Sequence, residues 1–327
     1  MNIVIRISHP AHVHKFRHLI RLLSIKNSVF VVAIEKEMTT YLLKKFEIDY
    51  YLVGKNRKGL IAKILELFIQ EFKLFFKLRK FKPDIFIGGG DPLLAHVSVL
   101  YQKPYIAFED TESASLILKS YKRIASFILT PQSYFINLGV KQIRYRGFHE
   151  LAYLNPQYFK PNNEVLKHLA LLPAERFAIF RFVSWDASHD IGVSGLTYSQ
   201  KIKLLEEISG FIKVFVTSES ELPPAIRKYM INIPPELMHD ALFFSDIYIG
   251  EGATMASECA ILGTPAIYTN PLYAGIINEE SDAGLLYHLT DFDTILFKAK
   301  EIAGDPLFKI KCQKKAQLFN NSKINVI

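Results

Sequence analysis

The stretch IGEGATMASECAILGTPAIYT (249–269) is the segment most informative about the fold, because it joins two apolar runs through a glycine-containing turn and a segment of helical spacing. We predict that a strand ends at Gly250 and that Gly252 lets the backbone turn tightly and approach a ligand. A helix is predicted to begin directly afterwards. A strand, a tight turn and a helix in this order are typical of a parallel α/β sheet.

The start of this predicted helix suits an anion. Free amides and the positive end of the helix dipole favour negative charge there, and the Thr254 hydroxyl can add a hydrogen bond. Glu258 follows four residues later on the same face, and its side chain leans back toward the helix start. The pattern therefore predicts a nucleoside diphosphate whose ribose hydroxyls donate to Glu258. The alternative is an ordinary strand–turn–helix with a solvated glutamate.

Short apolar runs alternate with segments of helical spacing along the whole chain. Predicted strands are 2–8, 28–34, 49–53, 84–89, 104–109, 126–130, 177–182, 213–217, 230–233, 246–250 and 265–269, and predicted helices include 13–26, 37–46, 60–82, 92–102, 197–209, 236–244, 254–262 and 292–303. The alternation predicts an α/β fold of the doubly wound, Rossmann-like type. We expect two such domains, 1–155 and 156–327, facing across a cleft, with the last helix a candidate to pack back on the first domain.

Composition excludes several protein classes. The chain has 327 residues, half of them apolar, with average glycine and proline, which argues against disordered, collagen-like and disulfide-stapled proteins. Cys259 and Cys312 form no metal-binding spacing and fit a reducing compartment. The first residues lack a signal-peptide core, and no apolar run is long enough to span a membrane. We therefore expect a soluble, cytoplasmic protein.

The net charge of +8 is unevenly distributed. Residues 1–150 contain 24 Lys and Arg against 12 Asp and Glu, whereas the remainder contains 16 against 20. A basic first half favours an anionic partner such as a membrane surface, a polyanion or a phosphorylated acceptor. A scattered lysine surface is the alternative.

Three histidines stand in the loop after the first predicted strand. His12 is a candidate general base or phosphate contact, because histidine titrates near neutrality. The spacing of His9, His12 and His14 also allows zinc, although no carboxylate or thiol is near in sequence. A helix start with one polar cap explains the same residues without any ligand.

Carboxylates follow two other strands of the first half. Glu109, Asp110 and Glu112 come together in FEDTE (108–112), where they could orient sugar hydroxyls, serve as a base, or cap a helix. We select Glu109 and Asp110, with His12, as candidate catalytic residues. Asp91, which precedes Pro92, is predicted to cap a helix.

The second half begins with a polar segment after its first strand, RFVSWDASHDIG (181–192). We predict that Ser184, Trp185 and His189 bind substrate: an indole beside a cleft can stack on a sugar or base, and histidine can neutralise pyrophosphate. A loop packed for interdomain structure is the alternative.

Several of these segments resemble known families. GATMASECAILGTPAIY is similar to the donor-site segment of GT-B-fold proteins, among them the GlcNAc transferase of the lipid-linked peptidoglycan precursor and the non-hydrolysing UDP-GlcNAc 2-epimerases. SHPAHVHKF, GGGDPLLAHV, FEDTE and RFVSWDASHDIGVSG resemble, in order, the blocks of a prokaryotic domain-of-unknown-function family of GT-B type. The resemblance implies a diphosphate at Gly252, Ala253, Thr254 and Met255, a ribose at Glu258, and a base against 233–239. The first loop departs from the transferases, which have a glycine-rich stretch there.

The resemblance implies a glycosyltransferase that takes a UDP-sugar as donor substrate and passes the sugar to a cell-envelope or surface-glycan acceptor. It would need no metal and no other cofactor, because helix termini and Arg or His side chains carry the diphosphate. A nucleotide-sugar 2-epimerase and a non-catalytic nucleotide-sugar-binding protein are the alternatives. No nucleic-acid partner is expected.

The aromatic and basic segment 60–82 predicts either peripheral contact with the inner membrane face or a core-packing helix with a lysine-rich surface.

Overall fold

The computed structural model describes residues 1–55, 59–113, 115–172, 174–183, 195–218 and 221–327. The chain divides into two compact units, Met1–Tyr153 with Asn325–Ile327, and Leu154–Ile324. Each unit contains one parallel β-sheet with helices between its strands. The predicted α/β class, with two Rossmann-like domains, is therefore confirmed.

The first unit has a sheet of seven strands among the described residues, in the order β3-β2-β1-β4-β5-β6-β7. The strands are β1 (Asn2–Ile7), β2 (Ser28–Glu35), β3 (Tyr51–Lys55), β4 (Ile85–Gly89), β5 (Tyr105–Phe108), β6 (Phe127–Pro131) and β7 (Gln142–Tyr145). The helices are α1 (Pro10–Ser24), α2 (Glu37–Lys45), α3 (Leu60–Leu78), α4 (Pro92–Tyr101) and α5 (Ser115–Tyr121), followed by α6 (Leu151–Leu154) at the boundary between the units.

The second unit has a five-stranded sheet, counted over its described residues, in the order β12-β11-β10-β8-β9. The strands are β8 (Phe177–Phe182), β9 (Lys213–Ser218), β10 (Ile247–Gly250), β11 (Ala266–Tyr268) and β12 (Leu286–His288). The helices are α7 (Glu164–His168), α8 (Tyr198–Ser209), α9 (Pro224–Arg227), α10 (Met238–Phe244) after a 3₁₀ turn (Pro235–Leu237), α11 (Ala253–Leu262), α12 (Gly275–Asp282), α13 (Phe292–Gly304) and α14 (Phe308–Asn321).

Both faces of the first sheet are buried. Along β1, Val4 belongs to one apolar cluster, whereas its neighbours Ile3 and Ile5 belong to another. Successive side chains of a strand point to opposite faces, so a strand covered on both sides reads as a continuous apolar run. This explains why β1 and its neighbours are recognisable from sequence.

Two sequence predictions need correction. The segment 230–233 was predicted as a strand, but only Met230 takes part in pairing, through an isolated bridge with Val216. The edge strands β7 and β12 were missed because they are short and carry polar residues.

The last helix, α14, packs on α11 within the second unit. Asn325–Ile327 group with the first unit.

Two helix ends show residues suited to begin or to end a helix. Asp91 caps α4 by accepting from the Leu94 amide at 3.2 Å, and Pro92 occupies the first turn, as predicted. At the other end of α11, Gly263 takes a left-handed conformation with φ of 75°. No helix within the described ranges is long and apolar enough to cross a membrane.

Candidate functional site

The strand order of each sheet marks one place where a ligand can enter. In an open parallel sheet, ligands bind beyond the carboxyl ends of the two strands at which the strand order reverses. In the first unit these strands are β1 and β4, and in the second unit they are β8 and β10. The segments that follow these four strands contain most of the residues selected from sequence.

The turn between β10 and α11 lies very close to β8. A Cβ atom on Gly250 would stand 2.7 Å from the Arg181 carbonyl oxygen and 2.7 Å from the Tyr248 hydroxyl, so a side chain there would force the strands apart. The Glu251 amide donates to the same Arg181 carbonyl at 3.0 Å. The Tyr248 hydroxyl donates to the Gly252 carbonyl at 3.1 Å. The backbone conformation of the turn is therefore set from the β8 side.

The β11 side holds the same turn. The Thr269 amide donates to the Gly250 carbonyl at 2.9 Å, and the Asn270 side-chain amide donates to the Glu251 carbonyl at 3.2 Å. Asn270 is buried, and its backbone carbonyl accepts a hydrogen bond from His288 Nε2 at 2.7 Å. A turn fixed by both neighbouring strands is preorganised, so a ligand bound there would not have to order it.

The helix α11 begins at this fixed turn. Its N-cap residue is Gly252, with φ of −90° and ψ of 111°, and glycine has no side chain with which to cap the first amides. Thr254 is exposed, and Ala253 and Met255 are half-buried. Among the described residues, the four predicted to hold a diphosphate thus form the accessible start of a ten-residue helix whose own N-cap residue offers no capping side chain.

Glu258 lies one turn further along α11 and is 5% exposed. Its Oε1 is 3.0 Å from Nε2 of His239, which is buried at the start of α10. His239 belongs to the loop against which the nucleotide base was predicted to lie. The structure thus brings the predicted ribose-binding carboxylate and the predicted base-binding loop together. Ser184, Trp185 and His189 lie outside the described residues.

In the first unit, His12 lies in the first turn of α1 at the carboxyl end of β1. Its Nδ1 is 3.3 Å from the Ser8 hydroxyl, and its ring packs against Gly89, where a Cβ atom would stand 2.7 Å from Cε1. Burial, with the positive charge of Lys15 nearby, lowers the pKa of His12 well below 6.5. This shift keeps the imidazole of His12 unprotonated at neutral pH, and it also makes His12 a weaker base than a free histidine.

The other loop histidines have structural roles. His9 caps α1 by accepting from the Ala11 amide at 3.3 Å. His14 is buried with its ring against Phe46 and Tyr153, on a different face of α1 from His12. Over the described residues, no group of three His, Cys, Asp or Glu side chains is placed to hold a metal ion.

Glu109 is a buried carboxyl at the end of β5. It accepts from the Thr111 amide at 2.8 Å and from the Tyr121 hydroxyl, and Gly90 leaves the room that this pair occupies. Burial, with the negative charge of Asp110 beside it, raises the pKa of Glu109. The glycines of GGGDP therefore make room for protein side chains, His12 at Gly89 and Glu109 at Gly90.

Asp110 belongs to a charged cluster that sequence reasoning did not find. Its Oδ2 accepts a hydrogen bond from Nδ1 of His149, and the Lys15 ammonium lies 2.8 Å from that same nitrogen and 5.0 Å from the Phe108 ring centroid. Burial alone would raise the pKa of Asp110, but His149 and Lys15 hold that pKa well below its usual value. At 35% exposure, the Asp110 side chain is the accessible member of this cluster.

The positions of Lys15 and His149 explain why the cluster was missed. Lys15 follows His12 on α1, and His149 follows β7, the edge strand that the sequence analysis did not predict. Burial lowers the pKa of Lys15 to about 8 and also lowers the pKa of His149. The candidate catalytic residues His12, Glu109 and Asp110 therefore share one buried, electrostatically coupled neighbourhood.

These shifts predict that the free energy of unfolding falls as the pH drops from about 7 to about 5. Because the pKa of His12 and of His149 is below 6.5 in the folded state, the unfolded chain binds more protons over this range. Stability present above pH 6.5 is then lost by about 1.4 kcal/mol per pH unit for each proton. The raised pKa of Glu109 acts in the opposite direction and reduces the slope.

Urea unfolding across this pH range measures the effect, and His12→Gln should flatten the decline. Stability that stays constant or increases on acidification would contradict the proposed protonation states.

Comparison with known proteins places the chain in a family. A family model described as "Protein of unknown function (DUF354)" matches residues 1–320. The chain belongs to this family. A relative of the DUF354 chain, an uncharacterized protein of Methanocaldococcus jannaschii, is 25% identical over 97% of this chain and 96% of its own length. The predicted resemblance to a domain-of-unknown-function family is confirmed.

Solved structures show which fold the DUF354 chain shares. A UDP-GlcNAc 2-epimerase from Neisseria meningitidis, bound to UDP-GlcNAc, is similar with a TM-score of 0.67 at 14% identity, over 99% of this chain and 96% of that chain. The glycosyltransferase VinC, in complex with dTDP, has a TM-score of 0.61 at 12% identity, over 98% and 97%. At these identities the similarity establishes the GT-B type of fold.

Proposed function

We propose that this protein is an enzyme that binds a UDP-sugar with its diphosphate at the start of α11. Three features support this site: a helix start whose N-cap residue, Gly252, has no capping side chain, a turn held by both neighbouring strands, and the carboxylate of Glu258 one turn away. The bound UDP-GlcNAc and dTDP of the two similar structures support a nucleotide partner. Backbone amides supply the donors to the diphosphate, so the proposal includes no metal or other cofactor.

The proposed reaction is transfer of the sugar to a hydroxyl of a cell-envelope or surface-glycan acceptor. The observation that carries it is the place of His12 in the first turn of α1, at the carboxyl end of β1, where burial keeps its imidazole unprotonated. His12 takes the proton from the acceptor hydroxyl as its oxygen bonds to the anomeric carbon, and UDP leaves with the electron pair of the broken bond. The positive end of α11 stabilises the charge that develops on the departing diphosphate.

A nucleotide-sugar 2-epimerase is the second candidate, and one observation favours it. Glu109 and Asp110 are adjacent carboxyls whose pKa values move in opposite directions, up for Glu109 and down for Asp110. Two neighbouring groups with separated pKa values are what an acid and a base require. Inversion at a sugar carbon uses both, whereas transfer needs only a base.

Incubation with UDP-GlcNAc alone separates the two activities. A transferase leaves this substrate as the original stereoisomer until an acceptor is added, whereas an epimerase converts it without one. Tight UDP binding without turnover, with or without a cell-envelope extract as acceptor, would instead indicate the non-catalytic alternative. If neither UDP nor UDP-sugars at millimolar concentration raise the melting temperature, both enzymatic proposals fail.

We also propose that α3 lies on an anionic membrane, which would bring the enzyme to the surface where a lipid-linked acceptor is held. Leu74 and Leu78 bury one side of α3 in the core of the first unit, so the predicted core packing accounts for that side. The opposite side exposes large apolar residues, namely Ile61, Leu65, Phe68, Phe72 and Phe76. The same segment is rich in basic residues, namely Lys73 and Lys77 on α3 and Arg79, Lys80 and Lys82 just after it. An apolar face beside positive charge is typical of helices that bind acidic lipid surfaces.

Flotation with liposomes measures this contact. The protein should float with phosphatidylglycerol vesicles, and the double substitution Phe68→Ser and Phe72→Ser should abolish flotation. Phe297→Ser is the matched control, because Phe297 is an equally exposed aromatic residue on α13 of the second unit. Flotation that survives the double substitution would refute the proposed contact.

A further inference from the structure

A buried carboxylate lies directly beside the proposed diphosphate site. Glu251 precedes Gly252, the N-cap residue of α11, and its side chain is completely buried. Its Oε2 accepts from the Val183 amide at 3.0 Å, just beyond the end of β8. The carboxylate therefore ties together the ends of β8 and β10, the two strands at which the order of the second sheet reverses.

This position creates an electrostatic conflict. An anion gains from the partial positive charge at the start of α11, but a carboxylate one residue away would repel that anion. Charges inside a protein are screened less than charges in water. A buried carboxylate therefore repels a nearby anion more strongly than a carboxylate on the surface does. An acidic residue here is compatible with a diphosphate only if another charge offsets it.

Lys201 supplies that charge. It lies in the first turn of α8, and its ammonium is 2.8 Å from Oε1 of Glu251. The Lys201 side chain is 7% exposed and lies over the Phe182 ring, 4.6 Å from the centroid. Both charges are thus removed from solvent and held opposite each other by packing.

We propose that Lys201 is a positioning residue of the donor site, which neutralises Glu251 so that the start of α11 can receive a diphosphate. This inference rests on the proposed function, because it concerns the same site. It adds a residue from α8, fifty positions away in sequence from the turn. Lys201 acts through Glu251 and the turn.

Calorimetric titration with UDP and with uridine tests the inference, because the two ligands differ in charge while sharing base and ribose. Lys201→Met should weaken UDP binding by about tenfold or more and change uridine binding by less than about twofold. A purely structural role would weaken both ligands alike. Thermal unfolding of each variant establishes that it is folded at the titration temperature.

Removing the carboxylate as well should restore the site. The double variant Lys201→Met with Glu251→Gln should recover UDP affinity to within about threefold of the wild type, since no buried charge is left uncompensated. Glu251→Gln alone should bind UDP at least as tightly as the wild type. Arg176→Met is the matched control: Arg176 pairs with Asp246 at 3.0 Å, before the same two strands begin, and its loss should leave the UDP-to-uridine ratio unchanged.

Three results would overturn the inference. Lys201→Met could keep wild-type affinity for UDP, or it could bind UDP and uridine more weakly by the same factor. The third result is that adding Glu251→Gln to Lys201→Met does not restore UDP affinity. In each of these cases the wild type still binds UDP, so the proposed function survives. A wild type that binds neither ligand refutes the proposed function, and this inference with it.

Discussion

Replacing His12 by Gln is expected to lower the turnover of the nucleotide sugar by roughly 10²–10⁴-fold, the usual contribution of a positioned general base. Glutamine keeps a polar side chain of similar length but cannot accept the proton at neutral pH. Because the diphosphate is proposed to bind at α11, we expect UDP affinity to stay within about twofold of wild type. Turnover with the substrate pair that the wild type accepts, measured beside UDP titration, checks both parts.

His9→Asn is the control for this prediction. His9 caps the same helix, and asparagine is a good capping residue, so α1 should begin at the same place. We expect turnover of this variant to remain close to that of the wild type. Equal losses in both variants, or full activity of His12→Gln, would remove His12 from the mechanism.

Glu258→Ala is expected to weaken both UDP and uridine by roughly 1–3 kcal/mol, the loss associated with an unmade hydrogen bond to a charged group. Both ligands carry the ribose that Glu258 is proposed to bind, so the affinity for both should fall. Inorganic pyrophosphate lacks the ribose, and its binding should be unaffected. This pattern differs from that of Lys201→Met, which should affect ligands according to their charge.

The contact between Glu258 and His239 complicates this substitution, because alanine also removes the oxygen 3.0 Å from His239 Nε2. Glu258→Gln therefore serves as the second variant, since its amide oxygen can still accept a hydrogen bond. Glutamine should keep the folded structure while weakening ribose binding less than alanine does. Unchanged uridine affinity in folded Glu258→Ala would contradict the ribose role.

Local pattern was sufficient to predict the fold and the α11 turn. Buried parallel strands are continuous apolar runs in the sequence. Gly250 and Gly252 mark the turn between the end of β10 and the start of α11. The edge strand β7 escaped prediction because none of its four residues, QIRY, is fully buried, so they lack that pattern. The segment 230–233 is apolar like a strand, yet it pairs at Met230 alone.

The charged partners of the site could not be predicted in the same way. Asp110 meets His149 and Glu251 meets Lys201 through the tertiary fold, across 39 and 50 positions of sequence. No spacing rule links residues so far apart. Sequence therefore identified Asp110 as a candidate but missed His149, and it assigned no role to Glu251 or Lys201.

Amide NMR with UDP tests whether a diphosphate binds the backbone amides at the start of α11. The resonances of Ala253, Thr254 and Met255 should shift on addition of UDP and stay nearly unchanged on addition of uridine. UDP that binds without shifting these three resonances would rule out a diphosphate site at α11.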